Sequence, residues 1–331
     1  MKRLLDLVAQ DLKLDPKVSR NFLVSVSGGA DSSLLLVAMA ELARIFPIRL
    51  SAVHFNFHLR GADSERDENY VRRLARKYEV ELHIENSPLK KNSSVQEMAR
   101  GARLKYLKAL PTEIEIVEAH HADDQLETFF FRLIRGASLK GLSGMKSPTN
   151  RVDHKIWRPF LGIWKAEIIA HCRKLRLRPR LDRSNLRADY DRNFLRLKIL
   201  RPLFQRFPSS RLSLLKSVED FRDRSEAIER EVEISSGQVV LSDSPLSLSR
   251  TELLKLAPSQ QRDFLNRLFM ARLKINLSRH KTCELQSLLA AKQDFTFNAP
   301  RDHLVRCRSD RLWVERAPQN RKVTKAETAL Y

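Results

Sequence analysis

Cysteine is scarce in this sequence, and its scarcity excludes two kinds of structure. The only cysteines are Cys172, Cys283 and Cys307, an odd number without a Cys-x-x-Cys pair. Neither a disulfide framework nor a zinc site built on cysteines is expected from three residues spaced so far apart. A reducing compartment fits this composition, and we expect the protein to act in the cytoplasm.

Long apolar runs are also missing. No stretch approaches the roughly 20 apolar residues that a membrane-spanning helix requires. The first residues, MKRLLDLVAQD, place an acid inside an apolar stretch and show no signal-type cleavage site. We therefore expect neither a membrane span nor an export signal.

Acidic residues are too few to balance the basic ones. The chain carries 61 Lys and Arg against 40 Asp and Glu, which gives a formal net charge of +21 and a pI near 10.2. A merely soluble basic surface is the plain alternative, but an excess of this size attracts phosphate backbones. The charge therefore predicts a nucleic-acid partner without identifying it.

The length of 331 residues exceeds what one hydrophobic core usually holds, so two domains are expected. In the first part of the chain, short β-rich runs alternate with amphipathic helical stretches, and strands are predicted at residues 22–27, 50–55, 80–84 and 113–119. This alternation predicts an α/β fold with a doubly wound parallel sheet. Ligands of such sheets bind beyond the carboxyl ends of the strands.

A Pro-Ser-Ser sequence at 208–210 follows a helix predicted at 189–207, and it sets the predicted boundary between domains 1–207 and 208–331. The second domain is predicted to be smaller, mainly helical and of the α+β class. Its predicted helices lie at 211–233, 253–256, 259–273 and 279–292, and its short strands at 295–297, 304–307 and 312–315. The last dozen residues are predicted to form a flexible tail.

Residues 27–32, Ser-Gly-Gly-Ala-Asp-Ser, connect an apolar strand to a helix. Glycine lets the backbone approach an anion closely, and the start of a helix offers free N–H groups, so this loop is suited to phosphate. It is neither a Walker A loop nor a Gly-x-Gly-x-x-Gly motif. A plain tight turn is the alternative, but Asp31 beside a phosphate makes sense mainly with Mg²⁺ between them.

This loop matches the signature of the PP-loop ATP pyrophosphatases, and further blocks resemble one family among them, the tRNA(Ile)-lysidine synthetases. The blocks are AVHFNFHLRG at 52–61, ARGARLKY at 99–106, AHHADDQLET at 119–128, LIRG at 133–136, GLSGM at 141–145, DRSN at 182–185 and YDRNFLR at 190–196. Their occurrence in order carries more weight than any single motif. One departure is Phe57, where the family usually has histidine.

The block at 119–128 brings several ionisable side chains to the ligand edge of the sheet. Asp124 and Glu127 are three residues apart, but Asp123 and Glu127 are four apart, so either pair shares a helical face and spacing does not choose between them. Helix capping is the alternative for either aspartate. The resemblance selects Asp124 and Glu127 as the residues that bind a lysine substrate, with Asp124 as the candidate base.

The resemblance also implies the other site residues. It assigns ATP binding to the loop and to His54, Mg²⁺ binding to Asp31, and catalytic roles to Asp31, Asp124 and Arg192. The arginines expected around the nucleotide or the tRNA are Arg100, Arg103, Arg192 and Arg196, of which Arg103 and Arg196 are equally compatible with solvated helix faces. The complete ATP-binding set is Ser27, Gly28, Gly29, Ala30, Asp31, Ser32 and His54.

The activity that the resemblance implies is that of an ATP-dependent C–N ligase. ATP and Mg²⁺ adenylate the wobble cytidine of a tRNA(Ile) with a CAU anticodon, and L-lysine then displaces AMP to give lysidine. Domain 208–331 is expected to hold the tRNA. The alternatives are a tRNA thiolation enzyme of the PP-loop class and a non-catalytic RNA-binding protein, and the oligomeric state stays open, a homodimer included.

Overall fold

The computed structural model of the chain describes residues 1–88, 95–180, 191–243, 245–291 and 293–317. The chain forms two compact units, Met1–Arg222 and Asp223–Tyr331. The division of roles predicted at 207/208 stays a prediction, as do the resemblance block at 182–185 and the tail from 318 onward, which lie outside the described residues.

The first unit alternates strands and helices along the chain. Its elements are α1 (Lys2–Asp11), β1 (Arg20–Ser25), α2 (Ala30–Ala43), β2 (Ile48–Asn56), α3 (Ala62–Lys77), β3 (Glu81–Asn86), α4 (Val95–Lys108), β4 (Ile114–Val117), α5 (Ala122–Ile134), α6 (Leu139–Leu142), β5 (Thr149–Arg151), β6 (His154–Trp157), α7 (Lys165–Lys174), α8 (Asp191–Phe194) and α9 (Arg201–Arg206). A π-helical segment, Leu195–Leu200, joins α8 to α9.

The six strands of this unit form one sheet in the order β3-β2-β1-β4-β6-β5. All neighbouring pairs are parallel except β5 with β6. The chain first builds the sheet outward from β1 to β3 and then returns to add β4 on the other side of β1. The carboxyl ends of β1 and β4 therefore form the topological switch point, where ligands of such sheets bind. The predicted doubly wound fold is confirmed.

Helix α2 anchors the loop that precedes it. Its residues from Ser32 to Ala40 are all buried, and they pack with Phe22 and Val24 of β1 in the largest core of the unit. A helix that is apolar on all sides is stable only inside a core. Because α2 and β1 are both fixed by this packing, the short loop between them has little freedom to move.

The second unit consists of an antiparallel sheet and several helices. Helix α10 (Ser210–Val239) leads into it, and it is followed by β7 (Val240–Asp243), β8 (Leu246–Ser249), α11 (Arg250–Lys255), α12 (Pro258–Leu268), a π-helical segment (Phe269–Leu273), α13 (Arg279–Ala290), β9 (Phe295–Ala299), β10 (His303–Arg308) and β11 (Arg311–Arg316). The strand order is β7-β8-β11-β10-β9. Phe264, Phe269 and Phe297 are buried in its core.

In the described part of the chain, no helix is both long and apolar enough to cross a membrane.

Candidate active site

The loop after β1 is held in a single shape by its own hydroxyl groups. The backbone N–H of Ser27 donates to the Ser32 hydroxyl at 3.1 Å, and the two serine hydroxyls lie 3.1 Å apart. Gly28 has a φ of +86°, a conformation that side chains other than glycine rarely adopt. Gly29 then caps α2 at its first turn. The loop therefore presents backbone and hydroxyl groups at a helix N-terminus, which suits an anion.

Asp31 stands in the first turn of α2 and is paired with a residue that sequence analysis missed. Both oxygens of its carboxylate accept hydrogen bonds from the Lys165 ammonium at 2.6 Å. His121 Nε2 lies 3.7 Å from the same carboxylate. Lys165 is the first residue of α7, about 130 positions away in sequence, so no local pattern relates it to Asp31.

The two aspartates of the 119–128 block face different partners. Asp123 accepts a hydrogen bond from the Lys165 backbone N–H at 2.8 Å and lies 3.3 Å from Arg211 Nη2. Asp124 accepts one from the His121 backbone N–H at 3.0 Å, which caps α5. Asp123 therefore contacts the start of α7, whereas the Asp124 carboxylate caps α5. The assignment of lysine binding to Asp124 and not to Asp123 stays a prediction.

Asp124 and Glu127 converge on one guanidinium. Arg196 donates to the two Glu127 oxygens at 2.5 and 2.8 Å, and its Nη2 lies 3.7 Å from Asp124. The Glu127 side chain is only 4% exposed, against 37% for Arg196. Burial raises the pKa of Glu127, and the hydrogen bond and charge of Arg196 oppose that rise. The acidic pair is thus a cation-binding site that an internal cation occupies.

Arg192 lies on α8, directly before the π-helical segment that carries Arg196. Its Nη2 donates to the Thr128 hydroxyl at 2.8 Å, one residue beyond Glu127. The π-helical segment that begins at Leu195 sits beside these contacts, and such local widening of a helix is frequent at functional sites. The structure therefore brings Asp124, Glu127, Arg192 and Arg196 together around the start of α5.

His54 stabilises the backbone just before the loop. Its Nδ1 donates to the Val26 carbonyl at 2.7 Å, and the side chain is buried. Burial lowers the pKa of His54, more than the Val26 hydrogen bond and nearby acids raise it. A neutral imidazole that holds the backbone just before Ser27 follows from this arrangement.

The two arginines of α4 lie apart from the acidic pair. Arg100 is exposed, and within the described residues it makes no ion pair. The Arg103 guanidinium lies 5.9 Å from the centre of the Phe55 ring and 5.6 Å from that of Phe57. These two rings stack on one another. Phe57, the departure from the resembled family, therefore contributes an aromatic surface at the end of β2.

Metal binding at this site would depend on a ligand as well as on the protein. Among the described residues, no three His, Cys, Asp or Glu side chains are grouped so as to hold a metal ion. Mg²⁺, however, is often held by one or two carboxylates together with substrate phosphates. Asp31 already forms an ion pair with the Lys165 ammonium, so its carboxylate is suited to be the single protein ligand of such a Mg²⁺ ion.

Comparison with known families agrees with this geometry. A family model described as a PP-loop domain matches residues 2–203. Among solved structures, the U34-tRNA thiolase NcsA from Methanococcus maripaludis has a similar fold, with a TM-score of 0.55 and 18% identity over 67% of this chain and 78% of that one. The fold and the loop thus define a PP-loop protein, and ATP use is confirmed at the level of this domain family.

The curated relatives are more specific. The tRNA(Ile)-lysidine synthase of Bacteroides thetaiotaomicron is 38% identical over 61% of this chain and 47% of its own length. That of Chlorobaculum tepidum is 32% identical over 70% of both chains. Within the PP-loop class, the chain belongs to the tRNA(Ile)-lysidine synthase family, as its motifs predicted. It spans about half the length of several of these relatives, including those of Bacteroides thetaiotaomicron and Haemophilus influenzae.

Proposed function

We propose that this protein is an ATP-dependent ligase that converts the wobble cytidine of a CAU-anticodon tRNA(Ile) to lysidine. The observation that carries the proposal is the position of the acidic pair, Asp124 and Glu127, on α5. The pair lies beside the loop at 27–32, which suits phosphate and contains Asp31. A PP-loop activates an oxygen with ATP, and the buried acidic pair suits the ammonium group of a second substrate. Family membership supplies the remaining identity of the substrates.

The reaction has two steps. In the first, the C2 carbonyl oxygen of cytidine attacks the α-phosphorus of ATP, and pyrophosphate leaves. In the second, the ε-amine of lysine attacks C2, loses a proton, and AMP leaves. The loop at 27–32 would hold the phosphates, and Asp31 would hold a Mg²⁺ ion, which when bound supplies positive charge to the pyrophosphate.

Lys165 has a specific part in this proposal. Its ammonium lies 2.6 Å from both oxygens of Asp31, at the place where the charges of ATP and Mg²⁺ would meet. Lys165 neutralises the charge of Asp31. If Asp31 held a Mg²⁺ ion instead, the Lys165 ammonium would be available to pair with a phosphate oxygen of ATP.

The acidic pair would recognise lysine and accept its proton. The Glu127 carboxylate is buried, so water screens its attraction to a cation only weakly. Asp124 is the proposed base because it lies near the position that the Arg196 guanidinium occupies and its side chain is not fully buried. Arg192, with Arg100, would stabilise charge on the activated nucleotide, and Arg103 and Arg196 would contact the tRNA.

Thiolation is the less favoured reading of the same fold. A sulfur-transfer step needs a thiolate, and Cys172 is the cysteine near the loop, 3.5 Å from the Ala30 carbonyl. Burial, together with the negative charge of Asp31, raises the pKa of Cys172 to about 11. Such a thiol stays protonated at neutral pH and is a poor nucleophile.

The test is incubation of the protein with ATP, Mg²⁺, labelled lysine and a tRNA(Ile) transcript with a CAU anticodon. Label in the tRNA and release of AMP are expected. Asp31→Ala should abolish AMP formation, whereas Asp124→Ala should block lysine transfer. A wild-type protein that leaves the tRNA unlabelled contradicts the proposed activity, and full turnover by either variant contradicts the role proposed for that residue. The cytoplasmic location and the tRNA-holding role of 208–331 belong to the same proposal.

A further inference from the structure

The end of α7 carries a concentration of positive charge that the proposed chemistry does not use. Residues 168–181 contain five basic residues and no acidic one. Arg173 and Lys174 close α7, and Arg176 and Arg178 follow it, and all four are exposed. In the part of the chain that the structure describes, none of these four makes an ion pair. We call these four residues the α7 cationic cluster.

The fifth basic residue of this run, Arg180, differs from the other four because it forms ion pairs within the fold. Arg180 lies 3.2 Å from Asp67 and 3.4 Å from Asp63, both on α3. Its charge is thus neutralised within the fold. Among the described residues, the α7 cationic cluster makes no such ion pair and its side chains are exposed to solvent, although the nearby Arg180 does reach two acidic residues.

The backbone holds the cluster in a fixed arrangement. Leu175 and Leu177 pack against the main core of the first unit, so the residues between and after them point outward. The N–H of Leu177 donates to the Cys172 carbonyl at 2.9 Å, and that of Arg176 to the Arg173 carbonyl at 3.0 Å. Cations on a rigid segment lose less entropy when they bind a partner than cations on a mobile tail.

The helix dipole does not account for all of this charge. The dipole acts within the last turn, so it favours Arg173 and Lys174 but not Arg176 and Arg178, which lie beyond the helix. The charges of Arg176 and Arg178 are therefore additional to those that the dipole stabilises.

We propose that the α7 cationic cluster binds the phosphodiester backbone of the RNA substrate, away from the reacting base. This inference rests on the proposed function. Helix α7 begins at Lys165 in the candidate active site and has ten residues, so its two ends are about 15 Å apart. An RNA whose base enters the site extends at least that far. Three of the four cations are arginines, whose planar guanidinium groups suit phosphate oxygens.

The test compares two variants that remove the same charge from the same unit. Arg173→Gln/Arg176→Gln/Arg178→Gln removes three charges of the cluster. Arg73→Gln/Arg76→Gln/Lys77→Gln removes three exposed cations near the end of α3, which likewise have no ion pair among the described residues. Binding of the CAU-anticodon tRNA(Ile) transcript is measured across a salt series for both variants and for the wild type, after thermal unfolding shows that all three are folded.

The cluster variant is expected to bind more weakly, and the slope of log Kd against log salt should fall by about three, one for each lost phosphate contact. Its turnover at saturating RNA should match the wild type. The α3 variant should keep a slope close to that of the wild type.

Equal losses in both variants would reduce the effect to net charge and overturn the inference, as would an unchanged slope in the cluster variant. A loss of binding to anionic vesicles or an acidic peptide, with RNA binding intact, would overturn it in favour of those partners. In each of these cases the wild type still labels tRNA, so the proposed function stands. A wild type that neither binds nor labels the transcript overturns both.

Discussion

At the scale of single residues, Arg196 occupies the place that the proposed function gives to the ammonium group of lysine. It makes a bidentate ion pair with the buried Glu127 and approaches Asp124. Arg196 takes both oxygens of Glu127, so an incoming ammonium group would compete with it for that carboxylate. Lysine binding is therefore expected to displace Arg196, which becomes available to an anionic group on the tRNA or the adenylate.

Replacing Arg196 tests this exchange. Arg196→Ala should lower the free energy of unfolding by about 1–3 kcal/mol, less than for a fully enclosed pair because the guanidinium is partly exposed. Added lysine should then raise the melting temperature of the variant more than that of the wild type, since no internal cation competes. Glu127→Gln is the control: it loses the same ion pair but should gain nothing from lysine. Equal protection of all three proteins would contradict the exchange.

Glu118, which directly follows β4, makes the stability of the protein depend on pH. Burial alone would raise its pKa, but the hydrogen bond to His120 and the charge of Arg158 lower it to about 2 from an ordinary value of 4.5. Since the folded-state pKa is depressed, its contribution to stability is complete above about pH 4.5 and is lost as pH falls toward 2. The upper limit of this contribution is about 3 kcal/mol.

The expected result is that Glu118→Gln lowers the free energy of unfolding at pH 7, and that the difference from the wild type shrinks as the pH is lowered through 4. Urea unfolding at several pH values measures it. Glu113→Gln, on an exposed residue nearby, should change little at any pH. A difference that stays constant with pH would show that Glu118 acts by packing and not by its charge.

At the scale of elements, the strand–loop–helix unit formed by β1, residues 26–29 and α2 depends on the conformation of Gly28. Its φ is +86°, and a Cβ there would meet Val71 and Asp67 only at ordinary contact distances. Gly28→Ala should therefore destabilise the fold through backbone strain by about 1–2 kcal/mol. AMP formation should fall as well, because the loop would change shape.

The control for this prediction is Gly237→Ala in helix α10, where an added methyl meets no atom within 4 Å. Alanine favours a helix over glycine by up to about 1 kcal/mol, so this variant should be slightly more stable and fully active. Thermal unfolding and AMP release are measured on both. If Gly28→Ala unfolded and turned over like the wild type, the loop would tolerate another backbone shape, and its proposed rigidity would be wrong.

Some elements were predicted from the sequence and others were not, for a physical reason. Strands β1 to β4 were expected because each apolar run adjoins a helical stretch with a clear period. Strands β5 to β8, of three or four residues each, were not predicted. Strand β5, Thr-Asn-Arg, has no apolar residue that could give a pattern. Strand β6 also pairs with a strand far away in sequence, since Ile156 lies beside Ile116 of β4, and no local pattern indicates such a partner.

At the scale of the whole molecule, the positive charge is unevenly divided. Residues 1–222 carry 42 Lys and Arg against 26 Asp and Glu, whereas residues 223–331 carry 19 against 14. Most of the excess therefore lies in the unit with the candidate active site. We expect phosphate contacts from both units, with the larger share from the first.

The corresponding prediction is that tRNA binding weakens steeply with salt, because each phosphate contact releases counterions. A plot of log Kd against log salt between 50 and 200 mM should be linear and steep, with a loss of roughly 10³-fold or more if six or more phosphates are contacted. Binding of free lysine, which contacts no nucleic acid, is the internal control and should depend much less on salt. A flat curve for tRNA would contradict a backbone contact by the basic surface.

The sequence by itself determined the class of fold, the loop and the family, because these depend on local patterns: apolar periods, adjacent glycines and ordered motif blocks. It also supplied most of the candidate side chains around Asp31, Asp124 and Arg192, although not Lys165. Only the tertiary structure decided which of these residues meet. Lys165 reaches Asp31, Asp123 contacts the start of α7, and Arg196 forms an ion pair with Glu127. Each of these contacts joins residues that no local pattern relates, since packing of distant elements sets their distances.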